Sequence, residues 1–301
     1  MSMRQCYRWG MKWLHKSTAY HVFCGMVMGA ADMIPGVSGG TMALLLGIYG
    51  RLIAAIDVLK KPFVAALVKG RVGQAVKMID WALLLPLAIG LVLAVVLVVK
   101  VIGLPELLRT HPREVYGFFF GLILGSIPLL VRGAVRPSWR WAWFAGGALL
   151  GYGVTQLVPV GLPAGAFYVF LAGALAISAM LLPGISGSYV LLILGQYALV
   201  LEALDSINLA ILLPFMLGCG FGLISFAKGL NWLMQRYEGA MVWAMAGLLL
   251  GTLPKLWPFG MPLETGQFAA ANNNVVVVAF ILAALAGTLG LRILNKKCLF
   301  R

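Results

Sequence analysis

The chain has 301 residues, 62% of them hydrophobic and only 11% charged. A water-soluble domain carries about a quarter charged residues, so this composition excludes an ordinary soluble fold and makes the bilayer the solvent. The net charge of +14 does not point to nucleic acid, because the basic residues cluster in short loops beside apolar runs, as in the cytoplasmic loops of membrane proteins.

Arg4, Arg8, Lys12 and Lys16 recur every four residues with Trp9 and Trp13 between them. This spacing predicts a basic amphipathic helix over 1–17, lying on the cytoplasmic face of the membrane. The segment after it shows no convincing cleavage site, so an anchor is expected rather than a signal peptide. A hairpin follows over about 18–58, then spanning helices over about 79–102, 115–132 and 139–158. A second hairpin covers about 164–205, with spanning helices over about 208–234, 240–256 and 274–295. The apolar runs, about 17–25 residues long, suit helices and are far too long for barrel strands.

An internal repeat organises these elements. Residues 35–49 read PGVSGGTMALLLGIY and residues 183–197 read PGISGSYVLLILGQY, with eight of fifteen positions identical. Asp57 and Asp205 continue the register. Leu84-Leu85-Pro86, Gly90 and Lys100 match Leu212-Leu213-Pro214, Gly218 and Lys228, while Gly121, Gly125 and Pro128 match Gly247, Gly251 and Pro254. The expected fold is an all-α polytopic membrane protein of two repeats, over 18–160 and 161–301. Each repeat is a broken or re-entrant hairpin plus three transmembrane helices. With the N-terminus inside, eighteen of the 23 basic residues fall on the cytoplasmic side, and three crossings per half turn the second repeat upside down. Both termini are then cytoplasmic.

Proline and glycine break a helix, and a break within a membrane is tolerated only where it is buried in protein or lines a cavity. Pro35, Gly36, Val37, Ser38, Gly39, Gly40 and Thr41, with Pro183, Gly184, Ile185, Ser186, Gly187 and Ser188, form two such breaks. Each restarts a helix whose first amides are unpaired, beside hydroxyls and glycines that allow close approach, which suits an anion such as a phosphate. Arg51, Lys100, Arg113 and Lys228 are further candidates for contact with an anionic headgroup, against the plainer reading of snorkelling at the interface. Asp32, an acid within an apolar run, is a candidate for ion coupling or for capping the restarted helix. Glu114 is a second coupling candidate, and either pairs with Arg113 or helps it recruit substrate. Glu202 and Asp205 read as a solvated loop end.

Cys6, Cys24, Cys219 and Cys298 lack metal-site or disulfide spacing and read as packing thiols. The scattered histidines His15, His21 and His111 predict no metal site, and no cofactor is expected. The glycines of 117–125 and 247–251 have the small-x-x-x-small spacing of helix packing. Trp141, Trp143, Trp243 and Trp257 read as interface or packing aromatics. Neither broken motif contains a histidine or glutamate, so catalysis, as in a polyprenyl pyrophosphatase, is disfavoured. A small-anion transporter or channel remains the other alternative.

The paired PGVSGG and PGISGS segments, together with GFFFGLILGSIP and GLLLGTLP, resemble the bacterial polyprenyl-phosphate transporter family over about residues 18–295. The resemblance implies a flippase of the bacterial inner membrane that returns undecaprenyl phosphate to the cytoplasmic leaflet for cell-wall synthesis. A coupling ion, proton or sodium, and a homodimer are compatible with it. The second motif departs from the first at Ser188, opposite Gly40, and at Met180, opposite Asp32, so unequal roles for the halves are expected.

Overall fold

The structure, a computed structural model, describes residues 17–34, 37–58, 66, 69–97, 103, 107, 110–132, 134–259, 278–279 and 281–286. The amphipathic helix expected over 1–17 lies outside the described residues but for its last position, and so does most of the span expected over 274–295. Among the described residues all regular structure is helical. Among the described residues, three helices are long and apolar enough to cross a membrane, or up to six if each bent pair is one span.

The following helices are described, in chain order. They are α1 (Thr18–Asp32), α2 (Gly39–Leu45), α3 (Tyr49–Asp57), α4 (Val72–Met78), α5 (Trp81–Val96) and α6 (Pro112–Arg132). Then come α7 (Arg140–Thr155), α8 (Ala166–Met180), α9 (Gly187–Ile193), α10 (Tyr197–Asp205), α11 (Leu209–Arg236) and α12 (Glu238–Thr252), which ends in a 3-10 turn, Leu253–Leu256. Between the first hairpin and α5, a stretch that the expected elements leave unassigned, lies the short helix α4.

The sequence repeat is also a repeat of helix lengths. Thr18 and Ala166, Gly39 and Gly187, and Tyr49 and Tyr197 begin matching helices of 15, 7 and 9 residues, each pair 148 positions apart. Gly47 and Gly195, also 148 apart, turn the chain at φ 73° and 68°, a conformation that L side chains rarely adopt. The bends that follow are 119° between α2 and α3 and 111° between α9 and α10.

Two compact units divide the chain. One takes the described residues of Leu14–Ala94 and Gln156–Glu238, so it contains both hairpins and the first long helix after each. Glycine brings these helices to backbone contact. A Cβ on Gly90 of α5 would collide with the Val22 carbonyl of α1, and one on Gly218 of α11 with the Phe170 carbonyl of α8. Val22 and Phe170 are repeat-equivalent, so one packing device is used twice. Cys24 is buried, and the Cys219 thiol of α11 donates to the Gly173 carbonyl of α8 at 3.5 Å, as packing thiols should be. Apolar side chains of α11 such as Leu213, Met216, Leu217 and Phe221 remain exposed, as expected of a face that lipid solvates.

The second unit takes the described residues of Val95–Thr155 and Gly239–Arg301. Its glycines pack as the small-x-x-x-small spacing predicted. Gly247 and Gly251 of α12 meet the backbone of Phe144 and Ala148 of α7, and Gly121 of α6 meets that of Ile281. Trp141, Phe144 and Trp243 form an edge-to-face cluster with ring centroids 5.2–6.4 Å apart.

Candidate functional site

Both broken motifs lie in the first unit. Pro35 and Gly36 fall outside the described residues, but their neighbours show how the first break is closed. Helix α1 ends at Asp32, and α2 starts after Ser38, whose backbone is extended. The Asp32 carboxylate accepts from the Gly39 amide at 2.6 Å and Ser38 Oγ accepts from the Gly40 amide at 3.2 Å. Two of the amides that a helix start leaves orphaned are thereby satisfied from within the chain. At the other end of this hairpin the Tyr20 hydroxyl donates to the Leu46 carbonyl at 2.6 Å. Helix α2 therefore runs back along α1, and the break is the tip of a hairpin.

The second hairpin closes in the same way by different contacts. The amides of Val160 and Leu162, ahead of α8, donate to the carbonyls of Ile193 and Leu194 at 2.6 and 3.2 Å. Buried Gln196 donates from Nε2 to the Leu162 carbonyl at 2.9 Å. At the tip, Met180 stands where the first half has Asp32, and Ser186 makes no side-chain cap to α9. Its hydroxyl instead pairs with that of Ser188 at 2.7 Å.

The two tips meet. Thr41 Oγ1 accepts from the Gly184 amide at 2.8 Å, Ser38 Oγ donates to the Met180 carbonyl at 3.4 Å, and the Tyr49 hydroxyl donates to the Leu181 carbonyl at 2.5 Å. A Cβ on Gly40 would stand 2.8 Å from the Met180 carbonyl, so glycine permits this approach. Ser38 and Thr41 are fully buried and Ser186 nearly so. The arrangement concentrates hydroxyls and backbone amides of both motifs at one place. In this conformation the Gly39 amide is spent on Asp32, the Gly40 amide on Ser38 and the Ser38 hydroxyl on the second break, while the second break carries the Ser186–Ser188 hydroxyl pair with Met180 in place of the acid.

Of the other expected site residues, Arg51 has a defined partner that the sequence did not reveal. It forms a two-pronged salt bridge to Asp80, Nε to Oδ2 at 2.8 Å and Nη2 to Oδ1 at 2.9 Å, and its Nη1 lies 3.1 Å from Nε2 of buried His21. Asp80 sits in the bend ahead of α5, outside that helix, and the hydrogen-bonded Arg51 guanidinium holds its carboxyl below the usual carboxylate range. An acid abutting an apolar run is the signal that picked out Asp32, and the same signal applied to Asp80 would have found this partner. Lys228 is exposed on α11, Arg113 and Glu114 are half-buried in the first turn of α6 in the other unit, and Lys100 lies outside the described residues. Asp57 is buried and accepts from Asn231 of α11 at 2.5 Å, whereas its counterpart Asp205 and Glu202 are exposed, as a solvated hairpin end requires. Among the described residues no group of three or more His, Cys, Asp or Glu side chains is placed to hold a metal ion.

Known proteins resemble this chain over most of its length. The model of the undecaprenyl phosphate translocase-like family matches residues 28–289, which include both hairpin tips. A polyprenyl-phosphate transporter of Vibrio cholerae is 41% identical over 236 residues, covering 78% of this chain and 76% of the relative. One of Staphylococcus aureus is 30% identical over 300 residues, covering 92% and 96%. No solved structure matches the chain. With the family model spanning most of its length and both relatives named as transporters, the chain belongs to the undecaprenyl phosphate translocase-like family.

Proposed function

We propose that the protein carries undecaprenyl phosphate across the cytoplasmic membrane, holding the headgroup where the two hairpin tips meet, and so returns the lipid carrier to cell-wall synthesis. The observation that carries this reading is the hydrogen-bonded junction of the two broken motifs, Thr41 to Gly184 and Ser38 to Met180. A phosphate monoester needs several donors at once, and moving its charge through hydrocarbon without them is expensive. Hydroxyls and first-turn amides gathered at one point supply such donors. The family membership and the names of the two relatives support the lipid substrate.

In this reading the halves are inverted repeats and the hairpins are re-entrant. At 15 residues, α1 and α8 are each ~22 Å long, short of the ~30 Å hydrocarbon core, which suits helices that enter and turn back. Asp32 repels an anion from the first tip, so the phosphate is held chiefly by Ser186, Ser188 and the amides around Gly184 and Gly187. Thr41 and Ser38 join when the tips part, and rocking of the hairpins gives alternating access. Lys228 and Lys100 are the candidates for meeting headgroups at the two surfaces, Arg113 and Glu114 are candidates for recruiting substrate, and Asp32 is the candidate for coupling to a proton or sodium gradient.

The test is leaflet exchange of undecaprenyl phosphate in liposomes containing the purified protein. Ser38→Leu and Ser186→Leu are each expected to abolish exchange while leaving membrane insertion intact. Exchange at the wild-type rate in both variants would reject the tips as the headgroup site.

A further inference from the structure

The charged cluster of Arg51, Asp80 and His21 lies away from the tips. His21 and Asp32 stand eleven positions apart on α1, which separates the cluster from the first tip by ~16 Å along the helix. It therefore marks the mouth of the first hairpin. His21 is 1% exposed, while the Arg51 and Asp80 side chains are about one-third exposed, so the guanidinium is anchored on one side and reachable on the other.

The repeat supplies an internal control for what this cluster does. The positions equivalent to His21 and Arg51 are Val169 and Leu199, and the position equivalent to Asp80 is Asn208, which only caps α11. The second half builds the same hairpin, with the same helix lengths and nearly the same bend, without any of these charges. The fold does not require the pair. The fork that grips Asp80 through two parallel N–H···O bonds is also the geometry by which arginine grips a phosphate.

We propose that Arg51 and His21 form a receiving subsite for a phosphate group at the hairpin mouth, occupied in this conformation by the Asp80 carboxylate, which an arriving phosphate displaces. Asp80 keeps the guanidinium paired and oriented while no ligand is present, and so sets the affinity for the incoming anion. The subsite rests on the transport reading for its lipid, but its chemistry, one phosphate group exchanging for one carboxylate, stands apart from the tips.

The experiment is a binding titration of the full chain in nanodiscs with three probes: a short-chain polyprenyl phosphate, inorganic phosphate, and the neutral polyprenol. Asp80→Asn removes the competitor and is expected to tighten binding of the polyprenyl phosphate about tenfold; Arg51→Gln is expected to weaken it about tenfold. The double variant should show no gain from Asp80→Asn, and polyprenol binding should not respond. A matching response with inorganic phosphate assigns recognition to the phosphate alone, and a response confined to the lipid adds the chain to it; either supports the subsite. Unchanged or weakened binding in an Asp80→Asn protein of wild-type thermal stability overturns the proposal, as does a gain that persists without Arg51. Should Asp80→Asn fail to fold, Arg51→Lys keeps the charge and loses the fork; several-fold weaker binding is expected, and unchanged binding overturns the proposal. Ser38→Leu and Ser186→Leu separate the two ideas, because they should stop leaflet exchange while leaving the Arg51-dependent binding shift in place.

Discussion

Asp32 can be given two jobs, and substitution separates them. Its carboxylate accepts from the Gly39 amide at 2.6 Å, at the start of a seven-residue helix. Removing a capping acceptor costs about 0.5–2 kcal/mol, and Asn caps nearly as well as Asp. The hydrogen bond is charge-assisted, so a neutral acceptor gives up roughly half of it. Asp32→Ala is therefore expected to lose about 1–2 kcal/mol of stability, and Asp32→Asn about half that. The assay is equilibrium unfolding in mixed micelles, following the fraction folded, where 1–2 kcal/mol is about a 5–30-fold change in the folded-to-unfolded ratio. The reasoning is refuted if Asp32→Ala matches wild type, or if Asp32→Asn falls as far as Asp32→Ala. Measured beside it, leaflet exchange should survive Asp32→Asn if capping is the acid's whole task. Lost exchange at near-wild-type stability would identify the carboxylate as a carrier of the coupling ion.

Thr41→Val keeps the shape of the side chain but strands the buried Gly184 amide; a loss of about 1–3 kcal/mol and faster hydrogen exchange at Gly184 are expected, and unchanged exchange would count against the junction. Gly90→Ala would put a methyl against the backbone of α1, with Gly25 Cα only 2.9 Å away, and should destabilise by about 1–3 kcal/mol in thermal unfolding. Gly229→Ala on α11, with open space around it, should instead stabilise by about 0.5–1 kcal/mol, so the pair tests packing against helix propensity. The carboxyl of Asp80 titrates below its unfolded value in the fold, so its contribution to stability is present above about pH 4, the unfolded value, and is lost as pH falls toward the folded one. Asp80→Asn should flatten the acid limb of the stability profile, and an unchanged limb would rule out the pair as its source.

What the sequence disclosed and what it withheld follow from how local each signal is. Helix breaks are written in a few adjacent residues, so PGVSGG and PGISGS marked both tips, and the constant offset between them is kept by the matching helices of the structure. Side-chain partners between elements leave no such mark. Arg51 and Asp80 are 29 positions apart, and Thr41 and Gly184 are 143 apart; the nature of each residue permitted the contact without implying it. Asp32 was conspicuous as a lone acid, but the Gly39 amide that it accepts from, seven positions on, was not written in the pattern. The repeat makes the remaining asymmetry informative. Two near-identical hairpins need identical glycines, and they have them at Gly47 and Gly195 and, on the helices they pack against, at Gly90 and Gly218. They do not need Asp32, His21, Arg51 or Asp80 in only one half, since Met180, Val169, Leu199 and Asn208 serve the other half. A carrier that worked identically from both faces would have no use for that difference. On the proposed transport reading, these four residues in one half and not in the other give the two openings unequal affinity for an anion, and a transporter with unequal openings can favour one direction when a gradient drives it.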